Sequence, residues 1–505
     1  MDYRKNYKAE NAPRIGVVAN AIGVYSVGGK EEAEEQLRLL FDEFKEEGVI
    51  SRDSIYYKKR IFGPLEAQEA AHLFGRARVD AVIVLNSAFT NGNTFLTLAN
   101  DPYLFKIPMI VTAPEESELE KPEWTTNAWC SAIMNNYVAR KIGRKVFTLA
   151  GWPGDASYKN ELASLLNVSH AVKELRSDFL GRFGDAPGGF HSASGNQLDY
   201  ARMFGTRIET VDWTEVMNTY RTGEYEGYNG GFSFTEDEVT ATAEEMKEGR
   251  PVLISEEYVR NAARLYQAFR IMIRANGFTS SAFRCWPEMG KSFIGVSPCL
   301  SMGWLLSKGD VYSAACEGDW PTAVAQTICT LLTGKPGICL DFVNVIGKSP
   351  VVQLGHCGVG IGGYMAPNDP ALKNMPNDEL KRKVMSGEIG LNDGIVEKSP
   401  ERLGGGLCGP AHIGQYAYGV KTAVNLIQDE NGIFKMLVFS GENGPETARG
   451  ILYSGCDIAV NDHVKLHETV MDHGFNHHLA VGFGDIRKEL ETICKYYGIE
   501  YFQID

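Results

Sequence analysis

Four short apolar runs, separated by stretches of helical period, dominate the first third of the chain and leave it few folds to choose from. They are RIGVVANAI (14–22), DAVIVLN (80–86), IPMIVTAP (107–114) and KVFTLAG (145–151). Apolar runs this short, bounded by Gly, Pro, Asn or charge, read as strands buried on both faces. Between them, GGKEEAEEQLRLLFDEFKEEG (28–48) sets Leu37, Leu39, Leu40, Phe41 and Phe44 at helical spacing behind an acidic first turn. EAQEAAHLFGRA and AWCSAIMNNYVARKIG are helical as well. This alternation predicts a doubly wound parallel sheet. No GxGxxG follows the first strand, so the pattern carries no dinucleotide inference. The loop LNSAFTNGNTF (85–95) lies where open α/β sheets bind ligands, which makes Asn91 and Asn93 candidate substrate contacts. Ordinary turn chemistry accounts for the same residues equally well.

A second α/β unit begins near residue 160. ASLLNVSHAVKELRSDFLGRFGD reads as helix then strand, and EEYVRNAARLYQAFRIMIRANG (256–277) as a long helix. PTAVAQTICTLLTGKPGICLDFVNV (321–345) reads as helix, Gly-Lys-Pro-Gly break and strand. Beyond about residue 345 glycine becomes frequent and short alternating runs such as FKMLVFSGE appear, the texture of a β-rich region. The expected fold is therefore α/β: two Rossmann-like parallel-sheet domains at 1–160 and 161–343, then a β-rich, barrel-like domain at 344–505 that ends in a helix and a final strand.

Composition removes several functions. The formal net charge of −14 argues against a general nucleic-acid binder, which needs clustered Lys and Arg to neutralise phosphates. A local basic pocket for an anionic substrate is still compatible with it. The first twenty residues lack the charged, apolar, small-residue order of a signal peptide, and no window approaches 18 apolar residues. The ten cysteines include no CxxC pair, so they read as reduced thiols of a cytoplasmic protein, with Cys316 and Cys339 packed in apolar runs.

Four residues could carry chemistry together: Glu317 in ACEGDWPTAV, Asp341 in CLDFVN, His356 in QLGHCGVG and His477 in GFNHHLAVG. Two carboxylates and two imidazoles suit a divalent ion such as Mn²⁺. Each residue alone also has a plain structural role, as a cap or as a hydrogen-bonded core histidine. Asp319 in particular reads as the N-cap of the helix that Pro321 opens.

ACEGDWPTA resembles the metal-ligand segment of the L-arabinose isomerases. CLDFVN resembles the next acidic segment, VVQLGHC the Leu-Gly-x-His segment of the arabinose enzymes, and FNHHLAVG the C-terminal His-bearing turn of both arabinose and L-fucose isomerases. On these motifs the chain is identified as a member of the L-fucose/L-arabinose isomerase superfamily, best over its last two-thirds. It departs from both branches. The arabinose enzymes carry Glu where this chain has Asp341, the fucose enzymes lack a firm counterpart of His356, and typical fucose isomerases are longer.

The resemblance implies interconversion of an aldose and its ketose through a metal-bound enediolate. Glu317 and Asp341 would be both ligands and acid/base groups, with His356 and His477 completing the site on Mn²⁺. His477 is favoured over His478 because it follows Asn476, which leaves His478 with Trp320 and Trp286 as substrate contacts. The resemblance also implies a homo-oligomer in which the first domain of a neighbouring subunit completes the pocket. A hydride shift, a non-catalytic sugar-binding protein, and a metal-dependent hydrolase or aldolase on the same ligands remain the rival readings. The sequence leaves the sugar open among L-arabinose, L-fucose, D-arabinose and a hexose modified at C6, including an anionic one.

Overall fold

The computed structural model describes residues 12–22, 30–115, 126–285, 296–345, 350–397, 409–446 and 453–505. The chain divides into two compact units, 1–176 with 491–498, and 177–490 with 499–505.

In the first unit five parallel strands, β1 (Ile15–Asn20), β2 (Ile55–Tyr56), β3 (Ala81–Asn86), β4 (Met109–Ala113) and β5 (Phe147–Ala150), lie in the order β2-β1-β3-β4-β5. Every residue of β1, β3 and β4 is buried, as expected of strands covered on both faces. The covering helices are α1 (Lys30–Glu46), α2 (Pro64–Ala77), α3 (Gly92–Ala99) and α4 (Ala128–Lys141). The apolar stripes of α2, α3 and α4 meet the sheet in a core that includes Val18, Phe74, Val84, Phe95 and Val111.

The second unit contains two large sheets. Four parallel strands, β6 (Phe179–Phe183), β7 (Arg207–Val211), β8 (Ser280–Phe283) and β9 (Ala314–Ala315), are ordered β9-β8-β6-β7. The long helix α5 (Glu256–Asn276) packs Phe269 against Phe183 and Phe283 of this sheet. Helix α6 (Trp320–Thr333) has clear start and stop signals: Asp319 accepts the Thr322 N–H, Pro321 stands in the first turn, and Gly334 ends the helix at φ 64°.

The other sheet has eleven strands and is mixed. One part of it, reaching to an edge of the sheet, is formed by β10 (Ile338–Val345), β11 (Val351–His356), β12 (Gly419–Gln428), β13 (Phe434–Asn443), β14 (His478–Phe483) and β15 (Glu500–Ile504), in the order β11-β10-β14-β12-β13-β15. β10 pairs antiparallel with both β11 and β14, so the sheet brings distant parts of the chain side by side.

Two helices, Asn377–Ser386 and His463–His473, fall within the region whose sequence reads as strands and turns. The first buries only Leu380 and Val384, the second only Leu466, so neither carries a broad apolar stripe. Asp341 is the fourth of eight residues in β10. Among the described residues, no helix is long and apolar enough to cross a membrane. Cys316 and Cys339 are both buried.

Candidate metal centre

Two segments meet at the site: the turn between β9 and α6, and the strands β10, β11 and β14. Glu317 occupies the turn in the left-handed region, φ 58° and ψ 25°, which is costly for a residue with a Cβ. Gly318 follows at φ 63°, and a Cβ there would come within 2.9 Å of the Asp185 carbonyl oxygen. The Gly318 carbonyl accepts from Arg182 Nε at 3.0 Å, and this bond fixes the turn from the side. The chain thus tolerates strain at a residue whose carboxylate the turn presents to the site.

The strands supply the rest. Asp341 stands directly opposite His478 in the β10–β14 register, which puts both side chains on one face. It also stands opposite Gly355, the neighbour of His356, across the β10–β11 ladder. His478 Nε2 is 3.2 Å from Asp341 Oδ1 and 3.4 Å from Glu317 Oε2. His356 Nε2 is 4.0 Å from Asp341 Oδ2, and His477 Nε2 is 4.0 Å from Glu317 Oε2. Ligand atoms of Glu317, His477 and His478 lie within 4.8 Å of one another, and so do those of Asp341, His356 and His478. His478 is the member common to both groups.

Hydrogen bonding at the far ring nitrogen distinguishes the three imidazoles. His478 Nδ1 lies 2.8 Å from Asp319 Oδ2, a carboxylate that can only accept there, so Nδ1 carries the proton and the Nε2 lone pair faces Glu317 and Asp341. His356 is the reverse. Its Nδ1 accepts the Cys357 N–H at 2.9 Å, which puts the neutral ring's proton on Nε2, facing Asp341. His477 Nδ1 lies 2.7 Å from Asn476 Oδ1, and its ring is 44% exposed against 0% for His478.

Asp319 is more than a helix cap. It accepts from Thr322 N and Oγ1, from Asn476 Nδ2 at 3.0 Å and from His478 Nδ1, so the same carboxylate starts α6 and orients the site histidine. Asn425 Nδ2 donates to the carbonyls of Asn476 and His478 at 2.6 and 2.9 Å and anchors the turn that presents both histidines. The sequence reading missed Asn425 altogether and saw Asp319 only as a cap. Neither has a local signal for its second role, because the partner lies more than a hundred positions along the chain for Asp319 and across a strand pair for Asn425.

Burial pushes the Glu317 carboxyl up, but the imidazoles of His477, His478 and His356 close to it outweigh that and hold the group well below the usual range. Asp341 follows the same pattern: burial opposes, and the charges of His356 and His478 with a His478 hydrogen bond lower it. Burial pulls His478 down, while the carboxylates of Asp319, Asp341 and Glu317 around it raise it well above its ordinary value, so positive charge is favoured at its Nε2. Three carboxylates therefore surround one imidazole, an excess of negative charge that suits a cation. The buried Nε2 atoms of His356 and His478 have no hydrogen-bond partner, although carboxylate oxygens stand close to both. A buried nitrogen without a hydrogen-bond partner, flanked by two carboxylates that favour positive charge on it, fits a divalent metal in the place of a proton.

The other candidate residues are placed differently. Trp320 is 1% exposed and its ring is spent on an edge contact with Tyr200 at 4.7 Å, so it packs the core and offers no open face to a sugar. Asn91 caps α3 in the first unit by accepting the Asn93 N–H at 2.8 Å, and Asn93 is exposed beside it. Trp286 lies outside the described residues.

No family model matches the chain. It is similar to a sulfoquinovose isomerase from Alkalicoccus urumqiensis, 23% identical over 431 residues that cover 84% of this chain and 86% of that protein. It is also similar to a sulfoquinovose isomerase from Clostridium sp. (strain MSTE9), 21% identical over 79% of this chain and 82% of that one. Among solved structures, a GDP-L-fucose synthetase from Naegleria fowleri aligns with a TM-score of 0.17 and 12% identity over 61% of this chain and 82% of that chain, too weak to bear on fold or function. The two isomerases match along nearly their whole length, and the residues singled out by motif meet in one cluster in an α/β chain with a large mixed C-terminal sheet. The chain is thus similar, over most of its length, to two sulfoquinovose isomerases.

Proposed function

We propose that the protein interconverts an aldose and its ketose on a divalent cation held by Glu317, Asp341 and His478, with Mn²⁺ as the working metal. The observation that carries this reading is the orphaned His478 Nε2, oriented by Asp319 and flanked by two carboxylates. His478 thus takes the ligand role that the resemblance implied for His477, and His477, half-exposed at the rim, takes the substrate side. His356, with its Nε2 proton facing Asp341, serves as a hydrogen-bond donor to that carboxylate or to a sugar hydroxyl.

A divalent cation bound there supplies Lewis acidity, which lowers the cost of negative charge on neighbouring sugar oxygens. The chain's own groups move the protons. One carboxylate takes the proton from C2 of the open-chain aldose and returns it at C1, and the other carries a proton between O2 and O1. Glu317, fixed in its strained turn, suits the carbon-bound proton, because a base held in one place loses little orientational entropy at the transition state.

The substrate we favour is a hexose modified at C6, with sulfoquinovose first among the candidates, on the strength of the two relatives. The protein would work as a cytoplasmic homo-oligomer with its pocket completed by the first domain of a neighbour. The Mn²⁺-loaded protein is to be incubated with sulfoquinovose, L-fucose, L-arabinose and D-arabinose, and ketose formation measured. The highest kcat/KM is expected on sulfoquinovose, and absence of ketose from every sugar overturns the reading. In deuterated water the aldose formed from ketose should carry deuterium at C2; none there supports a hydride shift instead.

Asp319→Asn tests the orienting carboxylate. The change keeps the shape, weakens the bond to His478 Nδ1–H and is expected to lower Mn²⁺ affinity by about 10–100-fold, the usual cost of losing such a partner. Calorimetric titration with Mn²⁺ reads it directly, and unchanged affinity refutes the role.

A further inference from the structure

RKIGRK (140–145) puts four cations into six residues of a chain whose net charge is −14. It closes α4 and leads into β5. The C-terminal helix Arg487–Tyr497 ends beside it: Phe147 stacks on Tyr496 at 4.9 Å, and Lys145 Nζ donates to the Tyr497 carbonyl at 3.1 Å. Between the two lies a cavity of about 250 Å³ whose wall includes Arg140, Arg144, Lys145, Lys495, Tyr496 and Tyr497. All of these residues belong to the first unit.

Cations in the last turn of a helix have an ordinary explanation, since they offset the negative end of its dipole. Here that explanation falls short. Glu491 pairs with Lys495 at 2.6 Å, and Asp101 is the carboxylate nearest in effect to Arg144. Arg176, whose Nη2 lies 3.3 Å from the Tyr496 hydroxyl, adds a fifth cation at the edge. Two helix ends together carry about one negative charge, so the wall keeps an excess of about two positive charges. Among the described residues, no carboxylate lies within ion-pair distance of Arg140, Arg144 or Lys145. Partial burial, and then the Arg176 charge, pulls the Lys145 ammonium below its ordinary value. Arg144 is 2% exposed and donates to the carbonyls of Ala99 and Ile107 at 3.0 and 3.1 Å, yet its Nε–H has no hydrogen-bond partner. A buried donor left over in the wall of a positive cavity calls for an acceptor, and an anion supplies both the charge and the oxygen.

We propose that this cavity binds a small ligand through a tetrahedral oxoanion, a phosphate or a sulfonate, with Arg140 and Lys145 as its charged contacts. An excess of two charges spread over separate donors suits the three free oxygens of such a group better than the two of a carboxylate. Lys145 Nζ is held over the rings of Tyr496 and Tyr497, 5.6 and 5.3 Å from their centroids, so its place is set before a ligand arrives. The cavity falls just short of the roughly 300–1,000 Å³ of sites for drug-sized ligands, which limits the ligand to a free oxoanion or one on a short carbon skeleton. No residue of the metal centre takes part, so failure of this proposal leaves the isomerase reading standing.

Calorimetric titration of the full-length protein with inorganic phosphate and, separately, with methanesulfonate tests it. An ionic strength of about 0.15 M screens loose surface attraction. Saturable binding with a Kd of about 1 mM or tighter is expected for at least one of the two. Preference for phosphate identifies a phosphorylated ligand and preference for methanesulfonate a sulfonated one, and either supports the site. Arg140→Gln and Lys145→Gln are each expected to weaken that binding about 10-fold or more, the worth of one charge-assisted hydrogen bond. Both side chains reach solvent, and an unchanged circular dichroism spectrum and Tm check that the variants fold. Lys145→Gln also removes the bond to the Tyr497 carbonyl, so Arg140→Gln decides the matter if the other variant fails to fold. Absence of saturable binding by either anion overturns the proposal. Binding that both variants keep overturns it as well, because it marks an adventitious ion only.

Discussion

Glu317→Gln is expected to lower kcat by at least about 10³-fold while the protein stays folded. The amide matches the carboxylate in size, so the strained turn, the Gly318 contact and the Arg182 bond should persist. What disappears is the negative charge and the capacity to accept a proton. Proton transfer by a placed side chain is worth about 10²–10⁴-fold, and the loss of a charged ligand adds to it. Steady-state kinetics on the best aldose, with Mn²⁺ content measured in parallel, separates the two contributions. A variant that keeps near wild-type turnover contradicts the assignment, whatever its metal content. Asp341→Asn is the natural companion, because Asp341 shares the same histidine across the β10–β14 pair.

The second large effect separates two adjacent histidines. His478→Gln should weaken Mn²⁺ binding by roughly 100-fold or more, since even a group that only orients a metal ligand is worth about 10–100-fold. His477→Gln should leave Mn²⁺ affinity within a few-fold and act on kcat/KM. The reason is geometric. His478 is fully buried with its Nδ1 committed to Asp319, whereas His477 is half-exposed and bonded to the neutral amide of Asn476. Titration of both variants with Mn²⁺ decides the matter. A larger affinity loss in the His477 variant returns the ligand role to the residue that the sequence favours.

The sequence made some parts of this molecule plain and left others hidden, for physical reasons. Strands β1, β3 and β4 are buried on both faces, so their apolar runs stand out against amphipathic helices, and they fall within the predicted segments, as does β5, which is exposed on one face. Helix α6 was legible from its ends, because Asp319, Pro321 and Gly334 each have a local reason to be there. The polar helices at 377–386 and 463–473 were not, since each touches the core through one or two side chains. In the site, Glu317, Asp341 and His356 could be singled out by motif. Which of His477 and His478 is buried against Asp319 could not, because that is set by the pairing of β14 with β10. The left-handed backbone at Glu317 was equally invisible: a glycine there would announce the turn, and a glutamate conceals it.

The most direct measurement is anomalous diffraction at the manganese edge from crystals soaked in Mn²⁺. A single strong peak is expected within roughly 2–2.5 Å of carboxylate oxygens of Glu317 and Asp341 and of the Nε2 of His478. A peak elsewhere, or these three side chains without a cation at saturating Mn²⁺, contradicts the metal centre on which the proposed chemistry depends.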